Sequence, residues 1–140
     1  MKNIDPATIL LAEDDDGHAF LLQKRLEAAG LFNPIVRFRN GVEAWDYISG
    51  KTAPCLEPER NYLLVLDIRM PGMDGIEVLK LVKAEPSLKH IPVIMLTTTD
   101  DPKDEARCRS LGCCRHLAKP EGFDKIADDV KHQSLPYHEG

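Results

Sequence analysis

Short unbroken apolar runs recur along the chain, and each is followed by a stretch in which apolar residues return every three or four positions. The clearest run, Leu63-Leu64-Val65-Leu66, delivers Asp67 and, after Ile68-Arg69-Met70, stops at Pro71-Gly72. A run of this length bounded by turn signals predicts a strand buried on both faces, the kind found in parallel sheets. Thr8-Ile9-Leu10-Leu11-Ala12 repeats the pattern and ends on Glu13-Asp14-Asp15-Asp16. Pro34-Ile35-Val36-Arg37-Phe38 alternates more, as suits an edge strand. Ile91 to Leu96 predicts a fourth strand ending in Thr97-Thr98-Thr99, and Cys113 to Ala118 a fifth, followed by Lys119-Pro120.

The intervening segments carry helix signals. Ala19, Leu22, Leu26 and Ala29 form an apolar stripe that closes on Gly30, with Asp15 or Asp16 as N-cap. Asn40-Gly41-Val42-Glu43 has the spacing of a capping box and opens a helix through Ala44, Trp45, Tyr47 and Ile48 to Gly50. Asp74 caps a third helix with Ile76, Val78, Leu79, Leu81 and Val82 inward, ending near Pro86. Asp100 or Asp101 caps the fourth, with Pro102 near its first position. Its only stripe is Ala106, Cys108 and Leu111, so it is expected to be the loosest packed. The last helix holds Phe123, Ile126, Ala127 and Val130, and Pro136 stops it.

Strand and helix therefore alternate five times, which predicts an α/β fold: a doubly wound five-stranded parallel sheet with helices on both faces. Right-handed crossovers favour the order 2-1-3-4-5, with the first and third strands adjacent at the switch point. The whole chain, 1–140, reads as one domain with a core of about 8–134 and short tails at 1–7 and 135–140. Lys51 to Arg60, with Pro54 and Pro58, is longer than such connections usually are and reads as a surface insertion or a partner-contact element.

Composition narrows the function. The chain is 43% hydrophobic with a net charge of -5 and no basic run, which argues against nucleic acid or an anionic membrane as direct partner. No apolar stretch is long enough to span a bilayer, and no leader-like segment precedes the first strand. Cys55, Cys108, Cys113 and Cys114 fit neither a zinc site nor a disulfide framework, so reduced thiols in a cytoplasmic protein are expected, with Cys113 and Cys114 on opposite sheet faces.

The chemistry lies where the strands end. With Asp15 or Asp16 free to cap, Glu13 and Asp14 stand at the end of the first strand. Asp67 ends the third, since Asp74 is the better cap for the helix that follows. Crowded carboxylates repel unless a cation neutralises them. An oxygen-only site of this kind suits Mg²⁺. Thr97 and Lys119 fall at the ends of the fourth and fifth strands. Either alone would be an ordinary strand-end residue; the coincidence in one sheet is what points to a site. Three carboxylates are balanced by one divalent ion and one ammonium, leaving a pocket able to accept a phosphoryl group. Asp67 is then the nucleophile that becomes an acyl phosphate. Asp14 ligates the metal directly and Glu13 through a metal-bound water. The backbone carbonyl of Arg69 is a further ligand, while Lys119 and Thr97 contact phosphoryl oxygens.

From about Thr8 to Val130 the sequence resembles the receiver domains of bacterial response regulators. The marks are Glu13-Asp14-Asp15, the run Leu66-Asp67-Ile68-Arg69-Met70-Pro71-Gly72-Met73-Asp74-Gly75, Thr97-Thr98, and Ala118-Lys119-Pro120. The resemblance implies a flavodoxin-like receiver fold and Mg²⁺-dependent transfer of phosphoryl to Asp67. The donor is a phosphohistidine on a sensor histidine kinase or phosphotransfer protein. It implies a signalling switch rather than an enzyme with its own substrate, acting on an effector through the fourth helix, fifth strand and fifth helix. It also implies a cis Lys119-Pro120 bond and a switch pair at Thr97 and His116.

His116 departs from the usual Tyr or Phe, being smaller and able to titrate near neutral pH; its other reading is a half-exposed strand residue. Arg115 is more polar than usual, and Thr98 replaces a small residue, which narrows access to the acyl phosphate. The long Lys51–Arg60 loop, Leu96-Thr97-Thr98 and Asp101 are similar to the stand-alone, phytochrome-associated subgroup, some of which pair as homodimers.

Two rival readings differ in class. A phosphohydrolase of the haloacid-dehalogenase type needs a second Asp two residues after its nucleophile, where this chain has Arg69, a side chain unable to give up a proton at neutral pH. A receiver-like binding module that takes no phosphate would normally have lost an acid, the hydroxyl or the lysine, and none is missing.

Overall fold

A computed structural model describes residues 6–51, 55–57, 59–98 and 101–132. Its strands are β1 (Thr8–Ala12), β2 (Ile35–Phe38), β3 (Tyr62–Asp67), β4 (Val93–Thr97) and β5 (Arg115–Ala118). Between and after them run α1 (Asp16–Ala28), α2 (Gly41–Ile48), α3 (Gly75–Ala84), α4 (Pro102–Ser110) and α5 (Gly122–His132). All neighbouring strands are parallel, in the order β2-β1-β3-β4-β5. The pattern predicted this architecture and its order.

The central strands are apolar on both faces because both faces are covered. Leu64 and Leu66 of β3 enter one core with Ala44, Ile48, Ile76, Leu79, Val82 and Met95. Leu63 and Val65 enter the other with Leu22, Leu26, Phe123, Ile126 and Val130. The alternation follows from the two-residue period of a strand. It places α2, α3 and α4 on one side of the sheet and α1 and α5 on the other. Gly75 shows how closely the parts are fitted. A Cβ there would collide with the main-chain carbonyl of Asp67, so only glycine lets α3 start against the end of β3.

Three helix starts carry the expected caps. Asp15 accepts from the His18 amide at 2.9 Å, Asn40 from the Glu43 amide at 2.8 Å, and Asp74 from the Glu77 amide at 2.9 Å. Asp101 caps α4 through the Lys103 amide at 2.9 Å; the alternative, Asp100, lies outside the described residues, as does Thr99. The Lys51–Arg60 loop is described only in part, and Pro136 not at all.

Three expectations need correction. Leu81 of α3, expected inward, is exposed, because the buried face is filled by Ile76, Val78, Leu79 and Val82. The expected stripe Ala106, Cys108, Leu111 holds only in part: Cys108 is buried and Leu111 half-buried against the same core, but Ala106 is exposed. Positions two apart on a helix lie roughly 200° apart, so Ala106 and Cys108 cannot share a face. The fifth strand also begins later than Cys113. The Cys113 amide closes α4 by donating to the Cys108 carbonyl at 3.1 Å, after Gly112 at φ 100°. That is the helix-ending arrangement a glycine favours. Strand bonding starts only with the Cys114 amide on the Val93 carbonyl, at 2.8 Å. Cys113 and Cys114 do pack on opposite faces.

Candidate functional site

Parallel register brings the strand-end residues together. Ala12 pairs with Leu66, Asp67 with Leu96, and Thr97 with Ala118, so Glu13, Asp67, Thr97 and Lys119 all emerge at one rim of the sheet. The rim is pinned by main-chain bonds: the Glu13 amide donates to Phe38 at 3.0 Å, Ile68 to Leu96 at 2.9 Å, and Lys119 to Thr97 at 2.8 Å. Arg37 adds a clamp on the end of β1, its guanidinium donating twice to the Glu13 carbonyl at 3.0 and 2.8 Å.

At the centre the Lys119 ammonium bridges two carboxylates. Its Nζ donates to Glu13 Oε1 at 2.8 Å and to Asp67 Oδ2 at 3.1 Å. All three side chains are almost wholly buried. The remaining oxygens are also directed: Glu13 Oε2 accepts from the Asp15 amide at 3.1 Å, and Asp67 Oδ1 from the Arg69 amide at 3.3 Å. Asp14 is exposed at the mouth. Glu13, Asp14 and Asp67 each offer a carboxylate oxygen within 4.8 Å of the others, a spacing that one cation can serve.

Electrostatics say the same. Burial, and then the charge and proton-sharing of Glu13, push Asp67 up from 3.8 to about 7 despite the attraction of Lys119. For Lys119, burial opposes the charged form, but the hydrogen bond to Glu13 and the charges of Asp67 and Glu13 outweigh it and raise its pKa. Lys119 thus acts as a partial counter-ion for a site that holds more negative charge than it can neutralise. A hard divalent cation fits such a set of oxygen donors.

The other expected site residues fall into place unequally. Thr97 is buried at the end of β4. His116 pairs with Met95 and so shares the α4 side of the sheet with Thr97, two residues beyond Met95. His116 is half-buried, and its Nε2 is enclosed with no hydrogen-bond partner among the described residues. The Lys119-Pro120 bond is cis. Arg69 sends its side chain out of the pocket to Asp104 of α4, at 3.1 Å.

Sequence reasoning missed that ion pair, the Arg37 clamp and His18. The His18 Nδ1 lies 3.9 Å from Glu13 Oε1, and its ring meets Phe123 edge-on at 6.4 Å. A histidine one turn into the helix after an acidic cluster was a readable signal; the Arg69–Asp104 pairing, across 35 residues, was not. A groove of about 570 Å³ between α1 and β2, with Phe20 and Phe32 exposed on it, includes none of Glu13, Asp14, Asp67, Thr97 or Lys119.

Comparison with known proteins agrees with this geometry. Residues 9–131 match the family model described as the response regulator receiver domain. The polar-differentiation response regulator DivK of Brucella anthropi is 32% identical over 126 residues, covering 90% of this chain and 94% of that protein. The Mn²⁺-bound form of the response regulator Rcp1 superposes with a TM-score of 0.78 at 28% identity, covering 96% of this chain and 98% of the other. The phosphorylated cyanobacterial phytochrome response regulator RcpA gives 0.78 at 27% identity, covering 94% and 99%. Among the described residues no helix is long and apolar enough to cross a membrane.

Proposed function

Because this chain belongs to the response regulator receiver domain family of two-component signalling, we propose that Asp67 is its phosphoacceptor and that Mg²⁺ at Glu13, Asp14 and Asp67 is required for the transfer. The observation that carries this reading is the Asp67 carboxylate, bridged by Lys119 to Glu13 and with its pKa raised by burial and then by Glu13. A carboxylate in that setting gains most from a cation beside it.

The donor is a phosphohistidine on a sensor histidine kinase or phosphotransfer protein. An Asp67 oxygen forms the new bond to phosphorus as the nitrogen–phosphorus bond breaks, and that electron pair returns to the donor imidazole. When bound, the metal offsets the carboxylate charge and draws electron density from the phosphoryl oxygens. Asp14 would hold the ion directly, Glu13 through a water, and the Arg69 carbonyl would supply a further ligand. Lys119 moves its hydrogen bond from Asp67 Oδ2 to a phosphoryl oxygen, and Thr97 donates its hydroxyl to another. With Thr97 drawn inward, His116 follows on the same sheet face. The change is read by an effector, or by a second copy, at the surface of α4, β5 and α5. The protein is a cytoplasmic switch that catalyses only its own phosphorylation and slow release, of the type of the phytochrome-associated regulators.

Beryllofluoride, which mimics an acyl phosphate, tests the site. With Mg²⁺ the wild-type protein is expected to give a bound ¹⁹F signal that Asp67→Asn abolishes and Asp14→Asn weakens. A bound signal that survives Asp67→Asn would exclude Asp67 as the acceptor.

A further inference from the structure

We propose that the Arg69 side chain is a phosphoryl-binding group of this site, parked at rest on Asp104 of α4, and that its transfer to modified Asp67 loosens that helix. The inference rests on Asp67 being the phosphoacceptor.

Charge supplies the motive. Before transfer, a divalent ion and Lys119 balance Glu13, Asp14 and Asp67. Converting the Asp67 carboxylate to an acyl phosphate replaces one negative charge by about two, since a phosphoryl monoester carries roughly −1.5 to −2 at neutral pH. One negative charge is left over, and a cation within reach is drawn to it. Arg69 is that cation. Its amide already sits 3.3 Å from Asp67 Oδ1, so the side chain starts at the edge of the pocket. Its side chain is two-thirds exposed and the guanidinium bonds Asp104 Oδ2 at 3.1 Å, so leaving costs little desolvation. A planar guanidinium also matches phosphoryl oxygens better than it matches one carboxylate oxygen.

The helix at the other end of the pair is weakly anchored. Among the residues of α4, Cys108 alone is fully buried. The Arg69–Asp104 pair ties the first turn of α4 to the acceptor rim. Asp104 is only 17% exposed, so it has little water to fall back on once Arg69 goes. The guanidinium therefore links acceptor chemistry to an element of the output surface without passing through the sheet.

Amide hydrogen exchange of α4 tests this, with beryllofluoride and Mg²⁺ as the probe and ¹⁹F NMR confirming occupancy. In the wild type, exchange in α4 should rise about two- to five-fold on adduct formation, the range set by a partly exposed ion pair. Arg69→Gln should show the raised exchange at rest, change little when the adduct forms, and bind beryllofluoride more weakly. Arg69→Lys should recover part of both. The proposal is overturned if Arg69→Gln exchanges like the wild type at rest, or if both proteins respond equally to the adduct. A wild type that forms no adduct refutes the phosphoacceptor reading itself; an adduct with no role for Arg69 refutes only the transfer.

Discussion

The centre of the sheet and its α4–β5 edge are built to different standards. Every residue of β1, β3 and β4 is buried, while β5 is half-exposed throughout and ends on an exposed Ala118. The Asp67 carboxylate, the proposed acceptor, sits on the first kind of element, and the helix tied to it by Arg69 is of the second kind. A reacting group needs fixed neighbours, which packed strands supply. A reporting surface needs low-energy alternatives, and sparse apolar contact supplies those. One chain meets both demands by spending its aliphatic residues at the centre.

Core truncation should expose the contrast most strongly. Leu64→Ala, at a site with no solvent contact, is expected to lower unfolding free energy by about 2–5 kcal/mol, and Leu111→Ala beside α4 by less than about 1.5. Denaturant titration of both variants checks this, and equal losses would erase the distinction.

Next in size is the electrostatic strain held at the centre. Burial and Glu13 raise Asp67 from 3.8 to about 7. The folded state then binds this proton more tightly than the unfolded state does. Its stabilising contribution is complete below about pH 4 and is lost as pH rises through about 7. Asp67→Asn should accordingly stabilise the metal-free protein at pH 8, by on the order of 2 kcal/mol, and change it little near pH 4. Thermal melts at the two pH values decide it. Added Mg²⁺ should raise the wild-type midpoint at pH 8 and leave Asp67→Asn nearly unmoved.

Smaller effects belong to the edge. Cys108 has no solvent contact, so its alkylation requires α4 to open, and burial first, then Cys113, pushes its thiol up to about 12, whereas Cys55 is exposed. Cys55 should label first, and Arg69→Gln should speed Cys108 labelling by about two- to five-fold, the worth of a partly exposed ion pair. The exposed Thr98 borders the site. Thr98→Ala should shorten the lifetime of the acyl phosphate, as followed by loss of label, and an unchanged lifetime would remove that residue from the account.

What could be read in advance divides along the same line. The runs Ile9–Ala12 and Leu63–Leu66 announce themselves because burial on both faces leaves little room for polar residues, and parallel register then sets the common rim at which Glu13, Asp67, Thr97 and Lys119 emerge. At the edge, local pattern was a poorer guide. Ala106 looked like part of a stripe only because small residues are ambiguous, and the start of β5 was decided by where the Cys113 amide bonds. The Arg69–Asp104 pair and the Arg37 clamp join segments far apart in sequence, and no periodicity reports such a contact.

The central claim is tested most directly by incubating the protein with a small phosphodonor, with and without Mg²⁺, and mapping the label to a peptide. The account predicts one phosphoryl group, on Asp67, formed only with the divalent ion and absent from Asp67→Asn. Label on another residue, or equal labelling without the ion, would contradict it.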